Sequence, residues 1–163
     1  MSDNKLLIII FAAVIILVGG GVVWAAKSKG SPEVEVNVAA KAEVTETEYD
    51  WGNISINGDK AEKTFTINNE GEAPLKLYDV QTSCMCTTAQ VIAGGKASPE
   101  FGMHSQSSYM AEVAPGEAAQ LKVVFDQAFH GPSGVGPVSR EVIVSTNDPA
   151  HPKLSFSLAA VVE

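Results

Sequence analysis

A series of short stretches in which apolar and polar residues alternate is the feature that most constrains this chain. Phe65 and Ile67 alternate with threonines, for example, and the turn-forming residues 68–71 (NNEG) end that stretch. A period of two buries one face of a strand and leaves the other in water, which is typical of antiparallel sheets. Six to eight such strands, and no convincing helical periodicity beyond the N-terminal segment, predict an all-β fold. We expect an antiparallel β-sandwich of two sheets with Greek-key connections.

The N-terminal segment, residues 1–26, is predicted to form a single transmembrane helix. Leu6 to Ala26 are 21 residues without a charge. At about 1.5 Å of rise per residue, a helix of this length just crosses a hydrocarbon core of roughly 30 Å. The alternative is a cleaved signal peptide, since residues 23–25 (VWA) offer a passable cleavage site, although the apolar part of a signal peptide is usually only about 7–15 residues long.

Residues 27–45 are predicted to be a flexible stalk, because they are rich in Lys, Glu, Ala and Val and have Gly30, Ser31 and Pro32 near their start. Lysines flank the apolar segment on both sides, so charge alone hardly fixes its orientation. An apolar segment ahead of a whole domain most often serves export. We therefore expect a single-pass protein of the cell membrane whose domain, residues 46–163, is extracytoplasmic.

Charge excludes one class of partner. The chain has a formal net charge of −8, and residues 31–163 carry 18 acidic against 8 basic residues. Such an acidic domain would repel nucleic-acid phosphates. The sequence has no Gly-x-Ser-x-Gly elbow, phosphate-binding glycine loop or His-Glu-x-x-His motif. We expect a binding or structural module rather than an enzyme, with the membrane and an unidentified envelope protein as partners.

The motif that could carry chemistry is Cys84-Met85-Cys86. In an extended strand, residues i and i+2 face the same way, with Cα atoms about 6.5 Å apart. A disulfide would then require a local kink, whereas two parallel thiolates suit a soft metal ion, copper(I) or zinc(II). The alternatives are two buried, inert cysteines or a strained disulfide.

Two predicted loops supply further ligands. One is a connection of about 25 residues between Ile92 and Ala118, and the other follows Phe125. Soft sulfur together with imidazole selects copper(I), and the two cysteines with two histidines would suit zinc(II). The predicted metal ligands are Cys84, Cys86, Met103, His104 and His130.

Each loop ligand also has a simpler interpretation, with Met103 as a core residue and His104 and His130 as surface residues. Two other functions stay open for the domain. One is a thiol–disulfide redox protein that uses the cysteine pair, although the nearest bases in sequence are Lys76 and Lys96. The other is a structural or adhesive module of the cell envelope without a metal.

Several motifs occur in the order found in one bacterial exported family. They are YDWGNI at 49–54, FTINNEG at 65–71, PLKL at 74–77, SCMCT at 83–87, APGE at 114–117 and STNDP at 145–149. In these motifs residues 46–163 resemble the family catalogued as domain of unknown function 1573, which is related to the immunoglobulin-like domains of abnormal-spindle and Hydin type. The resemblance implies an immunoglobulin-like sandwich and an extracytoplasmic location, and it brings no established activity. Members of that family usually have glycine where this chain has Met85.

Overall fold

The computed structural model describes residues 32–163, which form two five-stranded β-sheets. The strands are β1 (Ala42–Glu43), β2 (Glu48–Ile54), β3 (Ala61–Asn69), β4 (Leu75–Thr82), β5 (Thr87–Ala93), β6 (Lys96–Ala97), β7 (Met110–Val113), β8 (Ala118–Phe125), β9 (Gly136–Thr146) and β10 (Lys153–Val162). The first sheet has the order β1-β3-β8-β5-β6 and the second the order β2-β10-β9-β4-β7. The prediction of an all-β domain with two sheets is confirmed for these residues.

The alternating residues form the core, as their period of two predicts. Phe65 and Ile67 in β3 are buried while their threonine neighbours are exposed, and Leu121 and Val123 in β8 follow the same pattern. The rings of Phe65 and Phe156 have centroids 4.9 Å apart, which joins the inner faces of the two sheets. Burial of one face of each sheet against the other is what holds the sandwich together.

The strand order is that of an immunoglobulin-type sandwich. In such folds one sheet carries strands A, B, E and D, and the other carries C, F and G. Here β3, β8 and β5 take the positions of B, E and D, while β4, β9 and β10 take those of C, F and G. The expectation of purely antiparallel sheets is wrong at one pair, because β2 runs parallel to β10. These two strands are far apart in sequence, so no tight hairpin constrains their direction.

Part of the predicted stalk belongs to the sandwich. Ala40 and Ala42 are buried, and β1 pairs with the end of β3. The carbonyl oxygen of Ala39 accepts hydrogen bonds from the amides of residues 72 and 73, and a Cβ atom on Gly71 would overlap that oxygen. A glycine at position 71 therefore lets residues 39–43 pack closely on the sheet, where composition alone predicted a solvated segment.

Residues 1–31 lie outside the described part of the chain, and so do the predicted transmembrane helix and the competing signal peptide. Among the residues that the structure describes, no helix is long and apolar enough to cross a membrane. The one helical element within 32–163 is a short 3-10 turn at Gly131–Gly134, between β8 and β9.

Candidate functional site

Both cysteines lie in the turn that carries the chain from β4 in one sheet to β5 in the other. The amide of Thr87 donates to the carbonyl oxygen of Cys84 at 3.2 Å, which closes the turn. The hydroxyl of Thr82 lies 2.9 Å from the Cys84 carbonyl oxygen and 3.0 Å from that of Thr87. The prediction of an extended strand at Cys84-Met85-Cys86 is wrong, because the chain has to change sheets at this point.

The turn brings the two cysteines closer than a strand would. Their Cα atoms are 5.2 Å apart, and the two sulfurs are joined in a disulfide. The structure therefore shows the bridged pair, which the sequence left open as an alternative to free thiols. Cys86 is only 2% exposed and Cys84 is half-buried, whereas Met85 between them is 58% exposed. Of the two sulfurs, the one on Cys84 belongs to the more accessible residue.

His130 reaches the disulfide from the loop that follows β8. Its Nε2 atom lies 3.7 Å from the Sγ atom of Cys84. A disulfide sulfur carries no hydrogen, so in a hydrogen bond between these atoms Nε2 is the donor. The loop is fixed against the cysteine turn because the amide of Asp126 donates to the carbonyl oxygen of Cys86 at 2.8 Å. Exposed Phe129 packs its ring edge-to-face on the imidazole, with centroids 5.0 Å apart.

Arg140 contacts the other sulfur and was not among the predicted site residues. Its Nε atom donates to the Sγ atom of Cys86 at 3.1 Å. A second nitrogen, Nη1, donates to the carbonyl oxygen of Ser139 at 2.7 Å, and the guanidinium lies 5.2 Å from the ring centroid of Phe125. Desolvation by burial lowers the pKa of Arg140 from its usual value, yet an arginine remains charged at neutral pH. The site thus holds a fixed positive charge at Cys86.

Strand register explains why Arg140 escaped the sequence analysis. Just after β4, the amide of Ser83 donates to the carbonyl oxygen of Glu141 in β9, and the amide of Glu141 donates to the side-chain oxygen of Ser83, which places residue 140 beside the cysteine turn. This pairing joins residues far apart in sequence, so a search for bases near the cysteines could not find it. One signal was available: Arg140 is the single arginine of the chain and lies within an alternating stretch.

Three of the five predicted metal ligands come together. The ligand atoms of Cys84, Cys86 and His130 all lie within 4.8 Å of one another. His104 is exposed and lies outside this group, and Met103 is half-buried in the same segment of chain. We call the three converging residues together with Arg140 the cysteine site.

Part of the predicted loop of about 25 residues pairs with neighbouring strands. It contains β6, an antiparallel bridge between Phe101 and Ala89, and β7, which begins at Met110 and pairs with β4. Short strands of two to four residues leave too weak an alternation to recognise from sequence. Met110, near the end of this connection, therefore lies in a strand.

The resemblance to the bacterial family is confirmed by comparison. The model of the family described as "Protein of unknown function (DUF1573)" matches residues 42–99, a range that includes the cysteine turn. No curated protein sequence matches this chain. The matching family carries no assigned activity, so the function has to be argued from the site itself.

Solved structures resemble the chain in fold. A protein of unknown function from Porphyromonas gingivalis W83 has a TM-score of 0.58 and 21% sequence identity, and the match covers 77% of this chain and 49% of that one. This chain thus spans about half the length of that protein. The ASH/PapD-like domain of human CEP192 has a TM-score of 0.48 and 13% identity, covering 83% of this chain and 94% of that one. The YadV chaperone has a TM-score of 0.48 and 11% identity, covering 75% and 52%.

Proposed function

We propose that this immunoglobulin-like domain is a thiol–disulfide exchange module in which Cys84 and Cys86 alternate between a disulfide and a dithiol. One observation carries the proposal: the disulfide lies in a partly exposed turn with a guanidinium at one sulfur and an imidazole at the other. Cations and hydrogen-bond donors next to a cysteine favour its thiolate, which is the reactive form in exchange.

A purely structural role explains this disulfide less well. In the chain-entropy model, a bridge that closes a loop of three residues stabilises a fold by about 1.6 kcal/mol, against about 3 kcal/mol for a 15-residue loop. The antibody-type bridge instead joins the two sheets between strands B and F. In this domain the corresponding strands β3 and β9 hold the sandwich together through buried apolar side chains, without a cysteine.

The proposed reaction begins at the accessible sulfur. An external thiolate attacks Sγ of Cys84, a new S–S bond forms, and the bond to Cys86 breaks with its electron pair moving to Sγ of Cys86. The second thiolate of the external dithiol then attacks the first sulfur of that dithiol, which is bonded to Cys84 in the mixed disulfide. The external dithiol closes to a disulfide, and Cys84 is released as a thiolate. The domain has gained two electrons and two protons, and the external dithiol has been oxidised to a disulfide.

His130 is suited to move one of these protons. Its Nε2 atom lies beside the sulfur that is released last, at a distance of 3.7 Å. An imidazole nitrogen can donate or accept a proton, so His130 would protonate the departing Cys84 thiolate and would accept the proton again in the reverse reaction.

The exchange partner is proposed to be a protein dithiol or disulfide of the cell envelope. This follows from the expectation that the domain is membrane-anchored and extracytoplasmic, where no cytoplasmic reductant keeps cysteines reduced. Met85 and Phe129, both exposed beside the cysteine site, offer apolar surface to a polypeptide substrate.

Binding of a soft metal by the reduced pair is a second candidate function. It is favoured by the convergence of two sulfurs and one imidazole nitrogen within 4.8 Å. Three ligands with two thiolates suit copper(I), whereas structural zinc(II) sites almost always use four. The disulfide must first be reduced, because the thiolate is the form that binds metal.

Equilibration of the purified chain with dithiothreitol redox buffers at neutral pH tests the exchange function. The fraction of bridged Cys84–Cys86, measured by alkylation and mass spectrometry, should follow one reversible two-electron transition while the chain remains folded. Cys84→Ser should abolish the transition, whereas Met103→Leu, a matched change of sulfur outside the bridge, should leave it in place. A bridge that is reduced only when the chain unfolds would contradict the proposal.

Anaerobic titration with copper(I) against a chelator of known affinity tests the second candidate. The reduced chain should bind one ion and the bridged chain none, and His130→Asn should weaken binding. If the reduced chain binds no copper(I), metal binding is excluded while the exchange function is unaffected.

A further inference from the structure

We infer that Arg140 is a catalytic residue of the exchange reaction: it makes Cys86 the leaving sulfur and thereby directs external thiols to Cys84. This inference rests on the proposed exchange function. It assigns different roles to two cysteines that the sequence motif leaves equivalent.

The first argument is the position of the charge. The Nε atom of Arg140 lies 3.1 Å from Sγ of Cys86, while the imidazole of His130 is the neighbour of Cys84 at 3.7 Å. Attack on Cys84 puts the released electron pair on Cys86, directly beside the guanidinium. Attack on Cys86 would put it on Cys84, without that contact. A charge-assisted hydrogen bond therefore stabilises only the first outcome.

The second argument is that the guanidinium is held in place before the reaction. Nη1 of Arg140 donates to the carbonyl oxygen of Ser139, and the ring of Phe125 lies under the guanidinium. Cys86 is buried, so the charge pair forms in a region with little water, where its interaction is stronger than at the surface. The donor needs no reorganisation when the S–S bond breaks.

The third argument is steric access. Because Cys86 is almost fully buried and Cys84 is not, an external thiol meets Sγ of Cys84 first. Access and charge thus favour the same sulfur for attack. The hydrogen bond from Arg140 to Cys86 also stabilises the dithiol state relative to the disulfide, since the Cys86 thiolate exists only after reduction.

Site-specific trapping in the wild-type chain tests the direction of attack without any substitution. The bridged protein is exposed briefly to glutathione, quenched with an alkylating agent, and digested for mass spectrometry. Glutathione should be found on Cys84 and the alkyl group on Cys86. Glutathione predominantly on Cys86 would overturn the inference.

Substitution tests the role of the charge. Arg140→Gln removes the charge and keeps hydrogen-bond donors, and we expect the rate of reduction by dithiothreitol to fall about tenfold. The equilibrium constant for reduction should also fall about tenfold, which corresponds to a potential about 30 mV more negative. Arg140→Lys should retain most of the wild-type rate and most of the wild-type equilibrium constant. Lys153→Gln, the same loss of charge at an exposed position on β10, should change neither.

The two proposals fail in different ways. If the wild-type bridge shows no reversible transition, the exchange function itself is wrong. If the wild-type transition is normal and Arg140→Gln matches it in rate and potential, only the role of Arg140 is refuted. Circular dichroism of the bridged variants shows whether they fold. If Arg140→Gln does not fold, the trapping result in the wild type decides whether external thiols attack Cys84.

Discussion

The two ends of the sandwich use polar side chains in opposite ways. At one end, which we call the asparagine end, Asn69, Asn147 and Asp148 are all buried. At the other end lies the cysteine site, where Cys84 is half-buried and His130 is exposed. The first end uses its polar groups to fix the backbone, whereas the second leaves the groups of the proposed exchange site within reach of solvent.

The hydrogen bonds of the asparagine end are dense. The side-chain nitrogen of Asn69 donates to the carbonyl oxygens of Ala73 and Val113, and its side-chain oxygen accepts from the amide of Gly71. Asn147 accepts from the amide of Lys76 in a similar way. Buried polar groups with all partners present specify one structure, while the loss of a single partner is expensive. The difference between the ends teaches that the buried polar network and the proposed exchange site are located apart in this domain.

Loss of the Asn69 side chain should have the largest effect. Asn69→Ala leaves two carbonyl oxygens and one amide without their partner, so we expect the free energy of unfolding to fall by about 3 kcal/mol. Urea denaturation monitored by tryptophan fluorescence measures it. Asn68→Ala, on the half-buried neighbour in β3, is the matched control and should cost less than about 1 kcal/mol. The redox transition of the cysteine pair should be unchanged in both variants, and a shifted transition would show that the ends are coupled.

Asp148 should make the asparagine end sensitive to acid. Burial raises the pKa of its carboxyl, but hydrogen bonds from the Ala42 amide, His151 and the Ala150 amide outweigh burial, so the pKa lies below its usual value of 3.8. A carboxyl with a lowered pKa contributes stability that is present above its unfolded pKa and is lost as the pH falls through the folded pKa. We expect Asp148→Asn to cost about 2 kcal/mol at pH 7 and to reduce the loss of stability below about pH 4. Equal acid sensitivity in wild type and variant would contradict this assignment.

Removal of the disulfide should matter less than either change at the asparagine end. The double variant Cys84→Ser, Cys86→Ser removes the bridge that closes a loop of three residues. For this loop, chain entropy predicts that the free energy of unfolding falls by about 1.6 kcal/mol. Thermal unfolding of the variant and of the wild type with dithiothreitol measures it. A loss above about 3 kcal/mol would mean that the bridge supports the fold, and the comparison between the ends would no longer hold.

Met85 should contribute least to stability. Because its side chain is 58% exposed, we expect Met85→Ala to change the free energy of unfolding by less than about 0.5 kcal/mol. Its effect should appear instead in the rate of exchange with a polypeptide dithiol, and not with dithiothreitol. If the variant reacts as fast as the wild type with the polypeptide dithiol as well as with dithiothreitol, Met85 is not part of the substrate surface.

The strands and the core could be predicted from sequence because alternation is a local signal. The burial of Phe65 and Ile67 follows directly from their spacing in β3. The role of Asn69 could not be predicted, since NNEG and STNDP indicate turns whether or not the asparagines are buried. Their partners are supplied by other strands, and the sequence does not show which ones.

The cysteine site was predicted in part for the same reason. His130 was expected near the cysteines and lies there, because the loop after β8 returns to the end where β4 crosses to β5. Arg140 was missed because its position depends on the register of β9 against β4, which is distant in sequence. His104 lies outside the group of converging ligands. The assumption of a straight strand at residues 84–86 also failed, since a change of sheet leaves no mark in the alternation.

The backbone of the cysteine turn bears on how a partner could distinguish the two states of the proposed exchange. Its closing bond, from the Thr87 amide to the Cys84 carbonyl, involves neither sulfur. We therefore expect the corner between the sheets to keep its shape when the bridge opens, so the two states of the proposed exchange would differ in chemistry and hardly in outline. On that expectation, a partner that distinguishes the two states would have to contact the sulfur atoms themselves.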